Sequence, residues 1–300
     1  MRPTLITRKA LSRMPLPRHE EGGDKEARGR VLVVGGGRET PGAVILAATA
    51  ALRAGAGKLQ IATGEGNAPL VAASIPEARV FALPETKSGG LAKSAGAKLA
   101  GHVAEAQAVC VGPGMIEAES VARFVRATLE FCGEVPVVLD AGALACLEGG
   151  GELLHALGGR VVVTPNTDEL AEVFGEDKEL IKREPLRAAL RAAREFRAVV
   201  ALKGRETFIV SPDGRAYLNR AGSGGLATSG SGDVLAGVIA GLIARGAEPL
   251  TAAAWGVHAH ALAGEALERR VGRLGFLARE LLPEIPRALS RLGAGKKSLD

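Results

Sequence analysis

The chain has 300 residues, 47% of them hydrophobic and 24% charged, which suits one large soluble domain with a substantial core or two small ones. Net charge is +5, but the basic residues are scattered and only one Trp and one Tyr are available for stacking, which argues against a nucleic-acid partner and leaves a weak preference for anionic small molecules. The 3 cysteines, Cys110, Cys132 and Cys146, lack CxxC spacing and no apolar stretch is long enough to span a bilayer, so a cytoplasmic protein with free thiols is expected.

Residues 1–29, rich in proline and charge, read as an extended N-terminal arm, and one domain is expected over 30–292, with a flexible tail at 293–300. VLVVG (31–35) predicts a first strand. A Gly-rich turn and a helix over 43–55 follow, then strands at 58–63, 78–83 and 108–112. A helix over 118–131 leads to a strand at 135–140, and RVVVTP (160–165) to a short helix from Thr167. One charged helix is expected over 178–197. AVVALKG (198–204) and TFIVSPDGRAYLN (207–219) predict a strand running into a hairpin, because SPDG is a strong turn. Helices over 231–245, 249–270 and 276–291 close the chain. The alternation predicts a mostly parallel sheet covered on both faces.

Three absences narrow the chemistry. GGGRETPGA (35–43) does not satisfy GxGxxG, because Thr40 stands where the third glycine is needed, and no acidic residue closes the second strand. No GxxxxGK[ST] loop occurs either. His258 and His260 sit two apart on a helix and face different directions, which favours packing over a shared metal, while His19, His102 and His155 are isolated.

What remains is a set of strand ends. In an open parallel sheet the carboxyl ends lie on one edge, so the turns after 35, 112, 140, 165 and 203 converge on a crevice holding Asp140, Asn166, Glu169 and Lys203. Asn166 and Glu169 form a capping pattern, or else Glu169 holds Mg²⁺ through water while Asn166 reaches a ligand. Lys203 meets phosphate or extends into solvent. In ATSGSGDVLAG (227–237), Gly230, Ser231 and Gly232 present bare amides as an anion hole just before an apolar helix. Asp233 at the helix start is either a cap or a base that takes a proton from an attacking hydroxyl. A cap alone does not require two glycines just before it.

Together these segments resemble the ribokinase-like superfamily, and within it the ADP-dependent NAD(P)H-hydrate dehydratases, over nearly all of residues 1–292. The resemblance rests on VLVVGGGRETPGAVILAATAALRAGAGKLQIAT, VCVGPGM, VVLDAGAL, VVVTPNTDEL, LKGRET and NRAGSGGLATSGSGDVLAGVIAGLIARG. It implies a three-layer α/β/α fold and repair of hydrated NADH or NADPH with ADP, or ATP, as co-substrate and Mg²⁺ as cofactor. It implies Asp233 as base, with Ala43, Gly114 and Asn166 contacting the hydrate. Lys203, Gly204, Arg205, Glu206 and Thr207, with Gly232, match the adenine-nucleotide positions. A homotetramer is implied as well, and with no room before the first strand for an epimerase domain, a separate epimerase is the expected partner.

The chain departs from that family at three places. His is usual where Asn166 stands, a second acidic residue where Gly142 stands, and Tyr-Thr where Thr40 and Pro41 stand. Asn166 is also the residue many kinases of the superfamily use, so a vitamin-precursor kinase of the hydroxyethylthiazole type is the alternative enzyme. A nucleotide-binding regulator without turnover is a third reading, and it gives Asp233 no purpose.

Overall fold

The computed structural model describes residues 2–18 and 24–294. His19 and the tail from residue 295 lie outside the described residues; Gly293 still belongs to the last helix. Ten strands form one sheet: β1 (Thr4–Leu5), β2 (Arg30–Val34), β3 (Lys58–Gly64), β4 (Ala78–Leu83), β5 (Ala108–Val111), β6 (Val137–Leu139), β7 (Val161–Val163), β8 (Val199–Leu202), β9 (Thr207–Val210) and β10 (Ala216–Asn219). Their order is β1-β10-β9-β8-β7-β6-β5-β2-β3-β4. Only β9 runs against its neighbours, through the Ser211–Gly214 hairpin turn, closed by Gly214 N–H on Ser211 O at 2.9 Å.

The central strands are almost wholly apolar because both faces are covered. Val31 and Val33 of β2 face one helical layer, Leu32 and Val34 the other. The helices are α1 (Arg8–Leu11), α2 (Pro41–Arg53), α3 (Ala68–Ser74), α4 (Ala95–Lys98), α5 (Ala100–Ala104), α6 (Ala118–Leu129), α7 (Thr167–Phe174), α8 (Lys178–Arg183), α9 (Pro185–Phe196), α10 (Ser231–Ala244), α11 (Pro249–Arg270), α12 (Ala278–Leu281) and α13 (Glu284–Gly293). Side chains of α2, α10 and α11 fill the first layer, and those of α6 and α9 the second. On α10, a Cβ at Gly237 would lie 2.0 Å from Ala47 O of α2, and one at Gly241 2.5 Å from Ala51 O. The two backbones therefore touch. This close crossing holds the start of α10 against the turn that opens α2.

Three expectations are revised. The charged helix over 178–197 is two helices, because Pro185 has no N–H to continue α8 and instead starts α9. The last helix is interrupted in the same way at Leu282 and Pro283. Part of the arm is structured: β1 pairs in parallel with β10 and covers what would be an open sheet edge, and Leu11 of α1 is buried. Trp255 Nε1 of α11 donates to Met14 O at 2.8 Å and fastens the arm.

Strand order also locates the ligand edge. From β2 the chain builds outward through β3 and β4, then returns to place β5 on the other side of β2 and proceeds to β6, β7 and β8. The switch point between β2 and β5 opens a crevice at the carboxyl ends of the strands.

Candidate active site

Asp140 and Lys203 follow β6 and β8 directly, and Asn166 stands just beyond β7, bridged to Lys203, so neighbouring strands deliver them side by side. Lys203 Nζ donates to Asp140 Oδ1 at 2.9 Å and lies 3.7 Å from Glu169 Oε2. Thr164 Oγ1 donates to the same Asp140 oxygen at 2.6 Å. Burial pulls the Lys203 pKa down, but the surrounding carboxylates, Asp140 foremost, outweigh it and hold the pKa above its ordinary value.

Asn166 and Glu169 form the complete capping box of α7. Asn166 Oδ1 accepts from the N–H groups of Asp168 and Glu169 at 2.8 Å each, and Glu169 Oε2 accepts from Asn166 N–H at 2.6 Å. The box satisfies three amides and still leaves Asn166 Nδ2 and Glu169 Oε1 for other partners.

Opposite them, the turn before α10 comes down on the same edge. Gly230 takes a left-handed conformation, φ 87°, and a Cβ there would lie 2.5 Å from Leu46 Cδ1 of α2. A Cβ on Gly232 would lie 3.4 Å from Lys203 Nζ and 3.8 Å from Asp140 Oδ2, so a bare backbone faces the charged cluster. Ser231 N–H donates to Thr228 O at 3.2 Å, while the amides of Gly232 and Asp233 donate to no carbonyl among the described residues. The Asp233 N–H is directed at its own carboxylate, so the Gly232 amide is the donor left for an anion. The Ser231 hydroxyl is not a cap either; it meets His260 Nε2 of α11 at 3.1 Å in a buried contact. Burial drives the His260 pKa down to about 4, so the imidazole is neutral.

Asp233 feels all of these groups. Burial first, then the charge of Asp140, pushes its carboxyl up to about 7, against the pull of Lys203. A half-buried carboxyl that titrates near neutrality, next to the unpaired Gly232 amide and a cation, is equipped for proton abstraction during transfer of an anionic group.

Ala43 and Gly114 also meet. A Cβ on Gly114, φ +72°, would lie 2.9 Å from Ala43 Cβ, and Thr40 Oγ1 donates to Gly114 O at 2.7 Å. Gly142 has no room for the family's usual acid, since a Cβ there would lie 2.1 Å from Met115 O. Of the residues at 203–207, Lys203 reaches the cluster. Thr207 opens β9, Glu206 pairs with Arg220 at 2.7 Å, and Gly204 and Arg205 are exposed in the turn.

Sequence reasoning placed Asp140 in the crevice without a role, read His260 as a packing residue without its partner, and overlooked Thr164. An acid at the end of an apolar strand was the available signal for Asp140. Nothing along the chain links His260 to Ser231, 29 residues away.

The single, mostly parallel sheet between two helical layers, with a Gly-Ser-Gly-Asp turn opening a buried helix at its carboxyl edge, defines a ribokinase-like protein. Residues 31–287 match the family model described as NAD(P)H-hydrate dehydratase, and the chain belongs to that family. It is 46% identical over 290 residues to an ADP-dependent (S)-NAD(P)H-hydrate dehydratase of Xanthomonas campestris pv. campestris, covering 97% of each chain. A bifunctional NAD(P)H-hydrate repair enzyme of Moorella thermoacetica is 40% identical, with 94% of this chain matching 53% of that one. Among solved structures, the Bacillus subtilis ADP/ATP-dependent NAD(P)H-hydrate dehydratase, co-crystallised with ATP/Mg²⁺, superposes with a TM-score of 0.80 at 29% identity, covering 97% of this chain and 99% of that one.

Proposed function

We propose that the protein removes water from the S-hydrate of NADH or NADPH at the expense of ADP, restoring the reduced cofactor. One observation carries this reading: Asp233, with its carboxyl pushed up to about 7, stands beside the free Gly232 amide and Lys203 in a chain of this family.

Asp233 takes the proton of the hydrate's hydroxyl as that oxygen attacks the terminal phosphorus of the nucleotide. The phosphorus–oxygen bond to the leaving AMP breaks. The amide of Gly232 and the Lys203 ammonium face the transferring phosphoryl group and offset its charge. The ring nitrogen then donates its electron pair, phosphate leaves the ring carbon, and a proton lost from the adjacent carbon restores the double bond. The balance is hydrate plus ADP giving reduced cofactor, AMP and phosphate. Ala43, Gly114 and Asn166 hold the hydrate, and residues 203–207 the nucleotide.

Among the described residues no cluster of three or more His, Cys, Asp or Glu side chains could hold a metal ion. The donor set instead fits Mg²⁺, which keeps its waters and needs only one or two carboxylates plus nucleotide phosphates. Glu169, through its uncommitted oxygen, and Asp140 would hold it there, and the ion would neutralise phosphate charge.

A protein restricted to one epimer works with a separate epimerase, and the proposed assembly is a homotetramer. No helix among the described residues is long and apolar enough to cross a membrane, and the three cysteines are buried and free, in keeping with a cytoplasmic setting.

The test supplies hydrated NADH with ADP and Mg²⁺ and follows the returning absorbance of the reduced nicotinamide. Recovery that is lost in Asp233→Asn supports the reading. No recovery with ADP or with ATP overturns it, and recovery undiminished in the variant overturns the role of Asp233.

A further inference from the structure

On the hydrate side of the crevice, beside Gly114, a cavity of about 250 Å³ is walled in part by Ser88–Leu91, a loop tied down by Ser88 Oγ donating to Glu117 Oε2 at 2.8 Å. The nucleotide side is bounded by a longer loop. It runs from Asn219, the last residue of β10, to Ser231, the first of α10, and has glycine at 222, 224, 225 and 230. Backbone this rich in glycine has many conformations to lose, so its shape depends on what grips it from outside.

The loop lies where the nucleotide is placed. β9 runs against both β8 and β10, so the loop leaves the sheet at the same edge as Lys203. Asn219 pairs with Thr207, the end of the nucleotide segment, and Arg220 pairs with Glu206 inside it at 2.7 Å. The far end of the loop is the turn at Gly230–Gly232. A nucleotide held by Lys203–Thr207 and by Gly232 is therefore flanked by both ends of one loop.

Helix α11 supplies the grip. The buried Asn219 amide donates from Nδ2 to Ala221 O at 2.9 Å, which leaves its oxygen as the acceptor, so His258 donates from Nδ1 to Asn219 Oδ1 at 2.7 Å. Burial lowers the His258 pKa and keeps the ring neutral, in that one tautomer. Two turns further along α11, Glu265 Oε1 accepts from Gly222 N–H at 3.0 Å. Gly264 lets the loop lie against the helix, since a Cβ there would be 2.6 Å from Leu226 Cγ. Neither polar side chain is needed by the helix itself. An apolar residue at 258 would pack at no polar cost, and the ion pair open to Glu265 within α11 is a loose one, with Arg269 at 3.9 Å.

We infer that His258 and Glu265 are positioning residues for the adenine nucleotide: they hold the loop from Asn219 to Gly230 in its binding form, so that ADP does not have to order it. The inference rests on the nucleotide site of the dehydratase reading and adds two residues that act on it through the loop, without touching the ligand.

The experiment titrates ADP, with Mg²⁺ and no hydrate, into the unaltered protein and its variants by calorimetry, and measures KM for ADP and for hydrated NADH in turnover. Glu265→Ala and His258→Leu should each weaken ADP binding and raise its KM about tenfold, with KM for the hydrate unchanged. Glu265→Gln keeps an accepting oxygen, and His258→Asn keeps a donor where Nδ1 stands, so both should bind ADP nearly as the unaltered protein does. Arg269→Ala, which removes only the loose ion pair, should leave both KM values as they were. Glu265 is part-exposed, so its variants decide the point even where His258→Leu does not fold. A lowered melting temperature with unchanged ADP affinity overturns the inference. So does an equal rise of both KM values, or a loss that Glu265→Gln shares in full. Absence of turnover in the unaltered protein overturns the dehydratase reading instead, because the ADP titration needs no hydrate.

Discussion

The ammonium of Lys203 lies 2.9 Å from Asp140 Oδ1, so a half-buried cation of the crevice is already held by an almost fully buried carboxylate before any ligand arrives. The pair joins the ends of β6 and β8 across β7. It also sets the proton affinity of Asp233, because Asp140 raises that affinity and Lys203 lowers it.

Opposite substitutions should therefore move the pH profile in opposite directions. The base acts ionised, so kcat/KM for the hydrate should rise with pH through about 7. Asp140→Asn removes a negative neighbour and shifts the limb to lower pH. Lys203→Met removes a positive one and shifts it to higher pH, with weaker nucleotide binding as well. Profiles of kcat/KM between pH 5 and 9 read both shifts; movement in the same direction would refute the electrostatic account.

The raised pKa also marks a cost in stability. In the unfolded chain Asp233 ionises near its ordinary value of about 3.9, whereas in the fold it keeps its proton up to about 7. Between these values the folded state binds more protons. The stability that neutral Asp233 contributes is therefore fully present below about pH 4 and is lost as pH rises through 7. Asp233→Asn has no such loss, so its melting temperature should exceed that of the unaltered protein by an amount that grows from pH 4 to pH 7 and then levels off. Allowing for partial solvent screening, the difference above pH 7 should be on the order of 2 kcal/mol. Thermal melts across that range decide the point, and a constant offset would contradict it.

Ser231 and His260 form the one side-chain hydrogen bond found between α10 and α11 among the described residues. Their surroundings are apolar, and Gly256 of α11 comes so close that a Cβ would lie 2.7 Å from Ile239 Cγ1. Losing one partner leaves the other buried and unsatisfied. His260→Leu or Ser231→Ala alone should therefore cost about 1–3 kcal/mol, and the double variant less than the sum, with a coupling of about 1 kcal/mol. Denaturant unfolding of the four proteins measures it, and additive losses would show that the contact carries no energy.

The sequence was most informative where a single strand determines the outcome. VLVV, AVCV and VVV are apolar without a break, and only a strand buried on both faces needs that, so the parallel sheet and its shared carboxyl edge were legible. Asp233 was legible because glycine, serine and glycine leave bare backbone just before an apolar helix. Partnerships that depend on strand order were not. Lys203 and Asp140 are 63 residues apart, and only the placement of β8 beside β7 and β7 beside β6 makes them touch. The pairing of Thr4–Leu5 with β10 was hidden for a different reason: two residues carry no periodicity, and their strand is imposed by the open edge they cover. The loop between Ser88 and Leu91 offered only turn residues, and its role as a cavity wall comes from Glu117, which precedes α6.

Asn166 presents the sharpest case of one side chain with two duties. Its Oδ1 caps α7 by accepting from Asp168 and Glu169, which commits the oxygen and turns Nδ2 into the group left for a ligand. Three substitutions separate these duties. Asn166→Asp keeps a capping oxygen, so stability should be retained, but it replaces the free donor with an acceptor and should raise KM for the hydrate about tenfold. Asn166→Ala loses both and should also destabilise the fold by about 1 kcal/mol. Asn166→His, which installs the family's usual residue, can still cap through a neutral ring nitrogen and offers an N–H to the ligand, so activity should survive. Melting temperatures and KM values for the three variants test this together. A KM unchanged in Asn166→Asp would mean that Asn166 caps the helix and touches no substrate, and the hydrate would then have to be oriented by the backbone at Ala43 and Gly114.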